Sequence, residues 1–134
     1  MTSAALALQK AVYAAIVADD DVGALIGDRI YDLAPRNAVF PYVTIGQTTL
    51  ADWSTGTEAG AEHRLTLDVW SRQGGKSECH AIADAIRAAL HDAALALTGH
   101  ALVNLRFETA DVARDPDGIT FHGVLRFRAV TEPA

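Results

Sequence analysis

The sequence predicts an α+β fold: a single mostly antiparallel sheet of about four strands with helices packed on one face, in the order α-α-β-β-α-β-β. Three observations predict it. Residues 3–18 and 77–96 repeat apolar side chains at helical spacing. Four later segments alternate apolar and polar residues with period two. The run Arg114-Asp115-Pro116-Asp117-Gly118 is a strong turn signal that joins the last two of them. The 134 residues form one domain's worth of chain, spanning 1–134.

Ser3 to Ala18 reads as a helix with Ser3 as N-cap. Leu8, Val12, Ala15 and Ile16 form one apolar stripe, and Leu6, Tyr13 and Val17 form a second beside it. A helix apolar on two sides is expected to be covered on two sides, the second by a partner subunit. Asp19-Asp20-Asp21 suits a helix N-terminus, so Asp21 to Ile26 is predicted as a short second helix stopped by Gly27. Arg29 to Phe40 is expected to be an extended connection. Tyr42 to Leu50 alternates as a strand, Ala51 to Glu62 is a loop rich in Gly, Thr and Ser, and Arg64 to Ser71 is a second strand. Leu65, Leu67 and Val69 share one face of it.

Ser77 to Ala96 is predicted as a helix with Ser77 as N-cap and Gly99 past its end. Cys79, Ile82, Ala83, Ile86, Leu90, Ala93 and Leu97 make its apolar stripe; His80, Asp84, Arg87 and His91 make its wet face. Leu102 to Val112 and Ile119 to Thr131 complete the strands. Val103, Leu105 and Phe107 are expected inside on the first, and Ile119, Phe121, Leu125, Phe127 and Ala129 on the second. The opposite sheet face gathers Arg64, Arg106, Arg126 and Arg128 against Asp68 and Glu108, which are expected to pair with them.

Composition excludes several classes. Half of the residues are hydrophobic and only four are proline, which excludes a disordered linker. No apolar run approaches the roughly 20 residues of a membrane span. One cysteine excludes a disulfide framework and a cysteine-based zinc site. The formal net charge of −6 argues against a broad nucleic-acid grip. That charge is concentrated in residues 1–62, with three basic and eight acidic groups, against eight and nine in residues 63–134. Met1 to Leu8 lacks the basic start of a secretion signal, so a cytoplasmic protein is expected.

Motifs for chemistry are weak. Gly74-Gly75-Lys76-Ser77 resembles the end of a phosphate-binding loop, but Trp70 stands where the first glycine belongs. Cys79 lies near a helix start, which favours a thiolate, yet it also lies in the apolar stripe and reads as a core residue. His80 and Asp84 have metal-ligand spacing, but Arg87 shares their face. His63 and His122 fall on strands that nothing brings together. Neither a nucleophile elbow nor a dinucleotide fingerprint occurs. No catalytic, cofactor or metal site is assigned.

GDRIYD (Gly27 to Asp32) leads through Pro35 to VFPYVTIG (Val39 to Gly46), then to RLTLDVWSR (Arg64 to Arg72) and the helix IADAIRAAL (Ile82 to Leu90). In order and spacing, over nearly the whole chain, this resembles the tail-completion, or tail terminator, proteins of long-tailed phages, and most closely the version in gene transfer agents. The resemblance implies a non-enzymatic virion component: a homo-hexameric ring that caps the tail tube protein, stops its polymerisation and joins it to the head-side stopper or connector. DNA would pass through the ring without sequence-specific binding. Location follows: bacterial cytoplasm during assembly, then the neck of the particle, with no membrane. Three placements fit that role. The loop residues Trp53, Thr55, Thr57 and Glu58 are the candidate tube or subunit interface. Leu6, Tyr13 and Val17 are the candidate subunit-packing stripe. Arg64, Asp68, Arg106, Glu108, Arg126 and Arg128 are the candidate channel lining or interface. The competing readings are another neck component (a stopper or tube subunit), a small ligand-binding regulatory module, and a small hydrolase built on Cys79.

Overall fold

The computed structural model describes residues 3–134. Its elements are helices α1 (Ala4–Ala18) and α2 (Asp20–Ile26), strands β1 (Ile30–Tyr31), β2 (Tyr42–Asp52) and β3 (Ala61–Ser71), helix α3 (Ser77–Leu90), and strands β4 (His100–Arg114) and β5 (Phe121–Pro133). The strands form one five-stranded sheet in the order β1-β2-β3-β5-β4. Every pairing is antiparallel except the short parallel contact of β1 with β2.

Local signals start α1 where the sequence places it and α2 one residue earlier, at Asp20. The Ser3 hydroxyl accepts from the Leu6 N–H at 3.1 Å, and the Asp19 carboxylate accepts from the Val22 N–H at 2.9 Å. Gly27 ends α2 with φ +61°, a conformation that costs glycine nothing. Leu8, Val12 and Ile16 bury one side of α1 over β2 and β3, while α3 lies over β3, β5 and β4. Beneath them the alternation of the two central strands holds: Leu65, Leu67, Val69, Leu125, Phe127 and Ala129 are all buried. Fully burying such side chains stabilises by roughly 1.5–3 kcal/mol each.

Several expectations need correction. The sheet has a fifth strand, β1, inside the predicted connection; its two residues are too short to show periodicity. Ala51, Asp52, Ala61 and Glu62 are paired strand rather than loop, so the connection shrinks to residues 53–60. Register with β5 carries the pairing through residues of low strand propensity. Helix α3 ends at Leu90, six residues early. His91 leaves the helix, Asp92 takes φ 57°, and both bind the outer edge of β4. The Asp92 N–H donates to Leu105 O at 2.8 Å, and the Phe107 N–H donates to His91 Nδ1 at 3.0 Å. These bonds hold the chain against the strand and end the helix despite the alanines that follow. Gly99, at φ 76°, belongs to the turn into β4.

Lys76, not Ser77, occupies the N-cap of α3 and makes no side-chain cap bond; Ser77 is the first helical residue. Glu78 accepts instead from the Ser71 hydroxyl at 2.6 Å. Val103 is exposed because a β-bulge between Leu102 and Asn104 resets the alternation. Ile119, 58% exposed, stands in the turn before β5 begins. Cys79 is buried in the core, where burial first, then Glu78 and Asp115, push its thiol up to about 11. His63, also buried, hydrogen-bonds Thr131 Oγ1 at 2.8 Å under α1, and burial holds its pKa below the ordinary 6.5.

Phe127→Ala is expected to lose about 3–5 kcal/mol in urea unfolding, whereas Ile119→Ala should stay within about 0.5 kcal/mol. Equal losses would contradict the burial described. The depressed His63 also sets a pH dependence. Above the ordinary value of 6.5 the imidazole is neutral in both states and its burial costs nothing in charge. Below it the unfolded chain takes up the proton first, so stability is lost as pH falls through the lower folded value. Thermal unfolding between pH 8 and 5 should show a decline that is shallower in His63→Gln; parallel curves would remove His63 as the cause.

Candidate assembly surfaces

The helices cover one face of the sheet and leave the other bare. Cross-strand register sets what the bare face carries. Arg64 stands opposite Arg128, and Arg128 stands opposite Arg106, a row of three arginines across β3, β5 and β4. Like charges directly opposite repel, so the row stands only with carboxylates beside it. Glu62 accepts from the Arg128 guanidinium at 2.7 Å and lies 3.8 Å from Arg64. Glu108 accepts from Arg64. Asp111 pairs with Arg126 at 2.7 Å, and Asp92 with Arg106 at 3.4 Å. Four arginines thus meet four carboxylates and the face is nearly neutral.

This departs from the expected pairing. Asp68 partners no arginine; it meets His122 Nε2 at 2.7 Å. Glu62, Asp111 and Asp92 take that role; strand register brings in the first two, and the turn after α3 brings in Asp92. Most of these arginines are half-exposed, so each pair contributes modestly, about 0–1 kcal/mol. Between them, Gln47, Thr49, Thr66, Arg64, Glu108 and Arg126 line an open hollow of about 260 Å³. Gly46 beside Thr66 is constrained by packing, because a Cβ there would collide with the Asp68 carboxylate.

The other end of the bare face is aromatic. Trp70 stacks on His122 with centroids 4.0 Å apart and planes 9° apart. Tyr42 lies 6.3 Å from Trp70, and Phe40 lies 5.0 Å from Tyr42. The Arg72 guanidinium covers the Phe40 ring at 4.3 Å, and Trp70 Nε1 donates to Thr44 Oγ1 at 3.0 Å. Trp70 and His122 lie face to face while Phe40 is tilted 56° to Tyr42, so the rings form one packed row. The register Tyr42–Trp70–His122 creates it, and spacing along the sequence does not announce it.

The loop after β2 is ordered. Thr55 Oγ1 accepts from the Glu58 N–H at 3.0 Å, and the Thr55 N–H donates to Glu58 O at 2.8 Å. Thr57 donates its N–H to the same hydroxyl at 3.4 Å. Trp53 does not reach outward as a free anchor. It folds back so that the Arg128 guanidinium lies 4.9 Å from its ring, leaving the side chain half-exposed. Leu6, Tyr13 and Val17 line the outer side of α1 and are each about 42–43% exposed. The loop and the arginine face therefore meet at Trp53 and Arg128, and the α1 stripe is a second surface on the helix side. Of the remaining candidates, Arg87 lies over the Phe107 ring at 5.0 Å, and His91 lies 3.3 Å from Asp92. No helix among the described residues is long and apolar enough to cross a membrane.

Comparison with known proteins places this arrangement. The family model described as tail completion protein gp17 matches residues 10–132. The tail completion protein gp17 of Bacillus phage SPP1 is 26% identical over 127 residues, covering 93% of this chain and 92% of that protein. The solved structure of bacteriophage SPP1 gp17 shares the fold, with TM-score 0.66 and 24% identity over 94% of this chain and 89% of that one. A chain in the virion of a native gene transfer agent particle superposes with TM-score 0.91 and 35% identity, covering 98% of this chain and 99% of that one. A match from residue 10 to residue 132, on the fold and surfaces described, means that the chain belongs to the tail completion protein gp17 family.

Proposed function

We propose that this chain is a structural, non-enzymatic component of a phage-like particle, a tail terminator acting as a single domain. In this reading six copies form a ring on the head-proximal end of the tail tube. The ring stops tube growth and presents its other side to the head-side stopper or connector, and DNA passes through its centre. The observation that carries the reading is the near-complete superposition on a chain of a gene transfer agent virion.

The surfaces fit the role. A ring closes through heterologous contacts, which need two different patches on each subunit. The exposed stripe Leu6, Tyr13 and Val17 is one apolar patch left over after α1 has covered the sheet. The face with Arg64, Asp68, Arg106, Glu108, Arg126 and Arg128 suits the passage of DNA because its cations are already held by carboxylates. Free arginines would grip phosphates and release counterions; paired ones present a weak field. Trp53, with Thr55, Thr57 and Glu58 beside it, remains the proposed contact to the tube or the next subunit, its ring already seated by Arg128.

Other readings fit less well. The apolar hollow between α1 and the sheet has about 10 Å³, too little for a small-molecule ligand, and the larger hollows of about 250–290 Å³ are open grooves on the surface. The Cys79 thiol is buried and held protonated, unlike a nucleophile.

Removing this gene from a cell that makes the particles should leave headless tails of uncontrolled length, and the wild-type chain should restore joined particles. Trp53→Ala should restore them at least tenfold less well while the purified variant keeps its fold by circular dichroism. Normal tail lengths in the deletion would contradict the terminator reading. Full rescue by Trp53→Ala would remove only the loop's role.

A further inference from the structure

We propose that the interface between neighbouring copies seats the Asp32–Val39 loop of one copy on the outer side of α1 of the next, with Leu33 entering a groove floored by alanines. The pairing rests on the ring reading above and deepens it.

Leu33 is 89% exposed and Val39 64% exposed, on one loop. The base of that loop is fixed. Arg29 Nε donates to Pro41 O at 2.8 Å, Arg72 covers Phe40, and Phe40 packs on Tyr42. An apolar tip on an anchored base keeps the ordering cost of binding low.

A matching hollow lies elsewhere on the same chain. Ala11 and Ala14 of α1 and Ala96 before β4 line a groove of about 290 Å³, with Lys10 and Thr98 also on its wall. Leu6, Tyr13 and Val17 project from the adjoining side of α1, so the groove and the exposed stripe form one surface. Among the described residues no large apolar side chain lines it.

Charge fits a second copy at one point: the loop carries both Asp32 and Arg36, and Asp32 is the charge that stands next to Leu33. Lys10 is the one charged residue lining the groove and has no ion pair among the described residues. Asp32, next to Leu33, is exposed and has none either. A protruding leucine beside a free carboxylate thus meets a small-residue groove beside a free ammonium. Knob and hole sit on different elements of one chain, as a head-to-tail contact between identical copies requires. A standard interface hides about 800 Å² per partner, and the leucine supplies its central anchor rather than its whole area.

A charge exchange tests the pairing on the full chain mixed with tail tubes, with rings scored by negative-stain microscopy and sedimentation. Lys10→Glu and Asp32→Lys should each abolish ring formation, and the double variant should restore it. Both sites are exposed, so the fold should persist by circular dichroism. A Leu33→Cys/Ala14→Cys chain treated with a short bis-maleimide should give a ladder of covalent multimers, and neither single variant should. Rings from folded single charge variants, no recovery in the double variant, or wild-type rings without a ladder would overturn the pairing. Rings of Leu33→Asp that form but fail to attach to tubes would assign the loop to the tube and also overturn it. Absence of any ring from the wild-type chain, alone and on tubes, would remove the ring reading itself.

Discussion

The pairing of β3 with β5 is the constraint on which the rest of the molecule depends. Eleven residues of each strand pair without a bulge, from Ala61 with Thr131 to Ser71 with Phe121. With a side-chain period of two, that register decides both faces at once. It puts Leu65, Leu67, Val69, Leu125, Phe127 and Ala129 under the helices. By the same step it aligns Arg64 with Arg128 and Trp70 with His122 on the bare face. A slip of one residue would bury arginines under α3 and expose the core. The core's apolar demand is what makes the arrangement of the bare face stable.

Bulges act where that register needs adjustment. Gly46 and Gln47 bulge from β2, and Val103 and Glu108 from β4. The Glu108 bulge sits beside Arg64 and supplies the carboxylate that the arginine row lacks. Asp92 and His91 close part of the outer β4 edge and bring a carboxylate to Arg106. The same few residues therefore end α3, protect an exposed strand and neutralise a cation. Edge strands left open invite non-specific pairing.

Much of this was legible in the residues. Ser3, the aspartate run and Gly27 carry local capping chemistry, and each acts within three or four residues of itself. Alternation marked the central strands, whose partners are strands on both sides. The misses share a cause, which is that the deciding contact is distant in sequence. The end of α3 is set by Leu105 and Phe107, and β1 exists only because Val43 and Thr44 lie beside it. The arginine partners Glu62 and Asp111 required register, as did the seat of Trp53 under Arg128. The gathering of arginines on one face was readable from period two alone; their neutralisation was not.

We propose that the sheet has a structural face, roofed by helices, and an assembly face, bare and charge-compensated, with the outside of α1 as a second contact surface. Hydroxyl-radical footprinting of the free chain against the chain inside assembled particles tests it most directly. Tyr13 on α1 and Trp53 and Tyr42 on the bare face should become protected on assembly, while buried Phe127 stays unreactive in both states. Protection confined to the exposed side of α3, with Tyr13 and Trp53 as reactive as in the free chain, would rule out both contact surfaces.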